Sequence, residues 1–147
     1  MPNYTRVGNE WYMEFLDTNI ILRYLLRDDP TKAERCFALF QQLKRKEISL
    51  ITSEAVIAEV VYVLVSRNLY NQPRSNIRAF LLPIINLPSL KIPYRRALIR
   101  ALDLFAHSNL DFEDALTVAH MERMKITTVV SYDQDFDHIQ GIQRREP

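Results

Sequence analysis

A chain of 147 residues, 48% apolar and 25% charged, has the size and balance of one globular domain and can bury a core without covalent staples. Its single cysteine, Cys36, excludes an internal disulfide and a cysteine-based zinc site; its two glycines, Gly8 and Gly141, exclude a glycine-rich phosphate loop. The formal charge of +1, from 19 basic and 18 acidic residues, leaves nucleic acid open as a partner, because a basic face and an acidic pocket can coexist.

Residues 1–13 read as a polar N-terminal extension, with Asn3, Arg6, Asn9 and Glu10 interrupting any apolar run. No signal peptide is evident and no stretch reaches the roughly 18 apolar residues of a membrane span, so cytoplasmic residence is the expectation. Residues 14–147 are expected to form a single domain. The apolar run Met13 to Leu16 predicts a buried strand leading into a helix from Thr18 to about Arg27. Asp28-Asp29-Pro30 stops that helix and starts another over about Thr31 to Lys46, with Pro30 in the tolerated first turn. A strand follows over Glu47 to Thr52, then a helix capped by Ser53 and reaching about Arg67. Pro73 to Asn86 predicts a fourth helix that Pro83 kinks or ends early, Leu90 to Ile92 a short strand, and Tyr94 to His107 a fifth helix. Asp111 opens a sixth helix to about Lys125; the β-branched run Ile126 to Ser131 is the clearest strand, and the tail adds a helical turn and an edge strand near Gly141. Strands alternating with helices indicate an α/β domain around a largely parallel sheet, whose site should lie past the carboxyl ends of the strands.

Acidic residues stand at those places. Asp17 ends the first strand in Phe15-Leu16-Asp17-Thr18-Asn19, where it could simply cap a helix. Glu59 lies in Ala55 to Val65, a stretch with no Lys or Arg that reads as a helix buried all round, so its charge needs a distant guanidinium, a proton or a metal. Asp114 follows Asp111 at the spacing of a capping box. Asp133 and Asp135 follow the last strong strand, with Asp133 nearer to its end. The fold rule is expected to bring these acids to one sheet edge. Two unit charges ~6 Å apart at an effective dielectric of ~20 repel by roughly 3 kcal/mol, so four ionised carboxylates, six such pairs, cost on the order of 15 kcal/mol. Protons or one to two divalent cations must offset that repulsion, and all-oxygen ligands select Mg²⁺ or Mn²⁺ over zinc. His107, His120 and His138 show no metal-ligand spacing.

The blocks at 15–22 (Phe-Leu-Asp-Thr-Asn-Ile-Ile-Leu), 53–64 (Ser-Glu-Ala-Val-Ile-Ala-Glu-Val-Val-Tyr-Val-Leu) and 111–136 (Asp-Phe-Glu-Asp-Ala through Ser-Tyr-Asp-Gln-Asp-Phe) resemble those of PIN-domain ribonucleases, particularly the VapC-like toxins of prokaryotic toxin–antitoxin pairs. The resemblance implies a three-layer PIN-like fold with a central, largely parallel sheet flanked by helices. It places the family's first three acids on Asp17, Glu59 and Asp114. The fourth falls on Asp133, with Asp135 as the alternate, and the polar residue two positions earlier on Ser131. It implies Mg²⁺, with Mn²⁺ able to substitute, held by these acids to activate water for in-line attack on an RNA phosphodiester, leaving 5′-phosphate and 3′-hydroxyl ends. Asn19 and Ser131 would orient carboxylates or waters. The implied partners are single-stranded or structured RNA, a cognate antitoxin and a second copy of the chain. The extension before the first strand departs from the family pattern. The rival reading is a PIN-fold module that binds RNA or a partner without cutting; the presence of all four acids weighs against it.

Overall fold

The computed structural model describes residues 5–7 and 10–147, with side chains from residue 13 onward. Of the N-terminal extension, residues 1–4, 8 and 9 lie outside the described residues. Its other residues up to 12 form two short antiparallel strands, β1 (Thr5–Val7) and β2 (Glu10–Tyr12), with Arg6 opposite Trp11. The chain divides into two compact units, Met1–Pro93 and Tyr94–Pro147.

In the first unit the order is β3 (Glu14–Phe15), α1 (Thr18–Leu26), α2 (Pro30–Lys44), β4 (Leu50–Ile51), α3 (Glu54–Val65), α4 (Arg74–Ile85) and β5 (Leu90–Lys91). The three strands form a parallel sheet ordered β3-β4-β5, registering Glu14 with Leu50 and Leu50 with Leu90. Parallel neighbours need long crossovers, which the helix pairs α1–α2 and α3–α4 supply. Leu16 N–H continues the ladder to the Ile51 carbonyl at 2.8 Å, and the buried Thr52 hydroxyl donates to the Leu16 carbonyl at 2.8 Å. The strand end that precedes Asp17 is thereby fixed to the end of β4 through both the N–H and the carbonyl of Leu16.

Local signals set most boundaries. Asp29 caps α2 by accepting from Lys32 N–H, with Pro30 at the first helical position, and Ser53 caps α3 by accepting from Val56 N–H. The strand expected over 47–52 shrinks to two residues. Glu47 N–H instead bonds back to the Gln42 carbonyl, and Lys46 takes a left-handed conformation (φ 60°), so 45–47 close the preceding helix. Pro83 does not end α4, which runs on to Ile85; the two residues after the proline, Ile84 and Ile85, are buried and hold the last turn. Ile21, Phe40, Leu43, Ile57, Leu64, Ile77, Leu81 and Ile85 are fully buried, and Tyr24 stacks on Phe40 with centroids 4.1 Å apart where α1 meets α2.

The second unit contains α5 (Arg95–His107), α6 (Phe112–Met124), β6 (Thr128–Val130), a 3₁₀ turn (Gln134–His138) and β7 (Gln143–Arg145). Helices α5 and α6 pack together, with the Phe105 and Phe112 rings edge to face at 5.9 Å. Strand β7 runs parallel to β6, pairing Val129 with Arg144. The turn into β7 passes through Gly141 at φ 83°, a conformation that L side chains rarely adopt. The clearest sequence strand is present but not buried: Thr128 and Val130 are exposed. No helix of the described residues is long and apolar enough to cross a membrane.

Two substitutions on α3 separate core from surface. Leu64 is fully buried and Tyr62 is 69% exposed. Leu64→Ala is expected to lower unfolding free energy by about 2–5 kcal/mol in urea titrations. Tyr62→Ala should stay within roughly 0.5 kcal/mol of the parent.

Candidate active site

Asp17 occupies the N-cap position of α1, yet its side chain makes no capping bond and is exposed. The bland reading of Asp17 as a helix cap therefore fails. Both of its oxygens lack a partner among the described residues. The next residue, Thr18, is buried (6% exposed) and donates its hydroxyl to Glu59 Oε2 at 2.7 Å. This bond joins the first turn of α1 to α3 across 41 positions of sequence.

Glu59 itself corrects the sequence reading of α3. That helix buries Val56, Ile57, Val60, Val61 and Leu64, whereas Ala55, Glu59 and Tyr62 are exposed. Residues at i, i+4 and i+7 share one stripe, so even a nearly all-apolar helix leaves one face in water. No guanidinium pairs with Glu59 among the described residues; its recorded partner is the Thr18 hydroxyl. Thr18 was missed because nothing local marks it. Its role arises only when two helices distant in sequence meet.

In the second unit Asp111 does cap α6, accepting from Asp114 N–H at 2.8 Å. Asp114 is therefore held by its backbone, and its carboxyl is left to other partners. That carboxyl is half-buried and hydrogen-bonds the Asp133 carboxylate. Burial first, then the charge of Asp111, the bond to Asp133 and the charges of Asp133 and Asp135, push Asp114 up to about 6. Asp133 in turn caps the 3₁₀ turn by accepting from Asp135 N–H at 2.9 Å, and its own N–H donates to the Ser131 hydroxyl at 3.0 Å. Ser131 thus positions the Asp133 backbone rather than a carboxylate. Arg144 braces the same turn. It donates to the Ser131 carbonyl at 3.1 Å while its guanidinium engages Asp137 and Glu146, both at 2.9 Å.

The predicted residues thus fall into two groups, one in each unit: Asp17 and Glu59, with Thr18 bonded to Glu59, in the first, and Asp114 with Asp133 and Asp135 in the second. Among the described residues, no three His, Cys, Asp or Glu side chains stand in a ready metal-holding arrangement. The donor chemistry nevertheless suits a hard cation. The charges acting most on Asp114 are all acidic, and an ion binding there would relieve that repulsion. Asn19, expected to orient carboxylates, is exposed and lines a separate pocket with Arg23 and Arg35. His107 meets the Asp103 carbonyl, and His120 lies against Arg123 and Tyr94, so both are occupied structurally.

The family model described as PIN domain matches residues 15–142, from the end of β3 to the turn before β7. The chain belongs to the PIN domain family. Its six helices and parallel strands are the α/β PIN-like fold, and the match runs through Asp17, Glu59, Asp114, Asp133 and Asp135. PIN domains are generally nucleases, so this PIN domain is a hydrolase acting on nucleic acid. No curated protein matches the chain.

The raised Asp114 carboxyl makes the metal-free PIN domain pH-sensitive. Its folded pKa of about 6 exceeds the ordinary 3.8, so the folded state keeps a proton that the unfolded chain has lost. Stability is then highest at low pH for this group and falls as pH rises through that interval, the loss being complete above about 6. Asp114→Asn removes the loss. In EDTA the variant is expected to melt a few degrees above the parent at alkaline pH and to converge with it in acid. A parent that outlasts the variant at alkaline pH contradicts the assignment.

Proposed function

We propose that this PIN domain is a Mg²⁺-dependent endoribonuclease in which Asp17, Glu59, Asp114 and Asp133 hold the metal and serve catalysis, with Asp135 as alternate to Asp133. One observation carries the reading: in a PIN domain, the Asp114 carboxyl is held against Asp133 by a helix cap and a turn cap, with no Arg or Lys paired to either carboxyl among the described residues. A structural acid pair would be expected beside Arg or Lys. Arg144, the half-buried guanidinium that braces the Asp133 turn, is engaged instead by Asp137 and Glu146.

When bound, a divalent cation supplies Lewis-acid polarisation of the phosphodiester and a nucleophilic water near neutral pH. The chain's contribution is to hold carboxylates in place. Thr18 ties down Glu59 Oε2 and leaves Oε1 to face a ligand. Asp17, uncapped at the end of β3, presents both oxygens on a strand end fixed by Thr52 and Ile51. Asp114, pushed up to about 6, has to give up its proton before it can bind a cation, so metal and proton compete at that carboxyl. This reading extends to a type II toxin neutralised by a cognate antitoxin, acting in the cytoplasm as a homodimer; the VapC-like motif order supports that extension.

The purified protein is expected to cleave single-stranded RNA in Mg²⁺ or Mn²⁺ and to lose that activity in EDTA. Asp17→Asn and Asp114→Asn should each reduce cleavage roughly 10²-fold or more while keeping a parental circular dichroism spectrum. Thr18→Val, which deletes one hydrogen bond without changing volume, should cost roughly 10–100-fold, with Thr18→Ser restoring most of it. Retained cleavage in the two Asp variants overturns the assigned roles. Absence of EDTA-sensitive cleavage in the parent would leave a non-catalytic binding module.

A further inference from the structure

The structure carries a positively charged pocket that the acids do not account for. Helices α1 and α2 pack against each other, and a cavity of about 250 Å³ lies on them, lined by Asn19, Ile20 and Arg23 from α1 and by Lys32, Arg35 and Cys36 from α2. The helical repeat explains the grouping: 19, 20 and 23 share one face of α1, and 32, 35 and 36 share one face of α2. Three of the six lining residues are cationic and none is acidic. Burial pushes the Cys36 thiol up, so the wall contributes no thiolate.

The counter-charges nearby are partly engaged. Arg23 is held by Asp28 at 2.8 Å. Asp29 stands 3.8 Å from the Lys32 ammonium, but it also caps α2 through the Lys32 N–H. Arg35 is exposed and has no ion-pair or hydrogen-bond partner among the described residues. A guanidinium, an ammonium and a neutral amide around a small concavity form an oxyanion-binding set. The volume is below the roughly 300–1,000 Å³ of sites that enclose a whole drug-sized ligand, so it suits a phosphate group better than a nucleoside.

We infer that this α1–α2 pocket receives a backbone phosphate of the RNA strand, with Arg35 and Lys32 as its anchoring cations and Asn19 as a neutral donor. This rests on the ribonuclease reading, and it assigns positioning residues for that substrate. Asn19 lies two positions after Asp17 on the same first turn of α1, and Thr18 between them holds Glu59. A strand seated in the pocket by its phosphate is therefore registered on the helix that also carries the first acid. The pocket grips a phosphate beside the one to be cut, and it reads no base.

The test is fluorescence anisotropy of a labelled single-stranded oligoribonucleotide on the full chain in EDTA, where cleavage is silent. Arg35→Glu is compared with Arg45→Glu, which makes the same charge change at the exposed C-terminal end of α2. Arg35→Glu is expected to weaken binding roughly tenfold, while Arg35→Gln lowers the slope of log affinity against log salt by about 1. Arg45→Glu should change affinity less than twofold. In Mg²⁺, Arg35→Gln should raise KM and retain kcat. Equal effects of the two Glu variants, or an unchanged salt slope, overturn the inference while leaving the nuclease reading intact. Displacement of RNA by polyglutamate with stronger dependence on Arg35 than RNA itself shows would also overturn it, in favour of an acidic polypeptide. A parent that binds RNA through Arg35 but cuts none in Mg²⁺ supports the pocket and refutes the nuclease.

Discussion

Electrostatic repulsion between carboxyl groups that the fold does not neutralise is the constraint on which the functional reading depends. Asp111 fixes the first turn of α6, and that turn sets the Asp114 carboxyl against Asp133, which is itself fixed as the cap of the 3₁₀ turn. Neither contact is relieved by Arg144, whose guanidinium is held by Asp137 and Glu146. The fold could have avoided the repulsion with one substitution, since Asn caps helices as well as Asp does. Acid pairs left in place against their own repulsion belong to sites where a cation or a proton completes them.

Much of the architecture was legible because its signals are local. Ser53 and Asp111 each mark a helix start through a side chain three residues from the N–H it accepts, and both occur as read; Asp28-Asp29-Pro30 marks the start of α2, where Asp29 supplies the same kind of cap. Strand lengths were less legible, because a two-residue strand such as Leu50–Ile51 is defined by where partner chains begin and end. Pro83 shows the same limit: propensity argues for a helix end, and burial of Ile84 and Ile85 overrides it.

The candidate acids were legible from position, and the physical environment of Glu59 was not. A run of apolar residues from Ala55 to Val65 suggested burial on every side, but a helix of that length can leave the stripe of Ala55, Glu59 and Tyr62 in water. Asp17 likewise proved exposed and uncapped. The bond of Thr18 to Glu59 across 41 positions, and the pocket that Arg23 and Arg35 both line, leave no trace in spacing. Helix α1 gathers these features: its first turn follows Asp17 and carries Thr18 and Asn19, and its second carries Arg23. Cation-directed and phosphate-directed chemistry therefore share one short element.

The most direct measurement is Mn²⁺ binding followed by the electron paramagnetic resonance signal of the free ion, with the parent set beside Asp114→Asn, Asp133→Asn and Asp137→Asn. The account requires the parent to bind Mn²⁺ and the first two variants to lose that binding. Asp137→Asn, whose carboxylate Arg144 already neutralises, should bind as the parent does. Undiminished binding in Asp114→Asn, or an equal loss in all three variants, would contradict it.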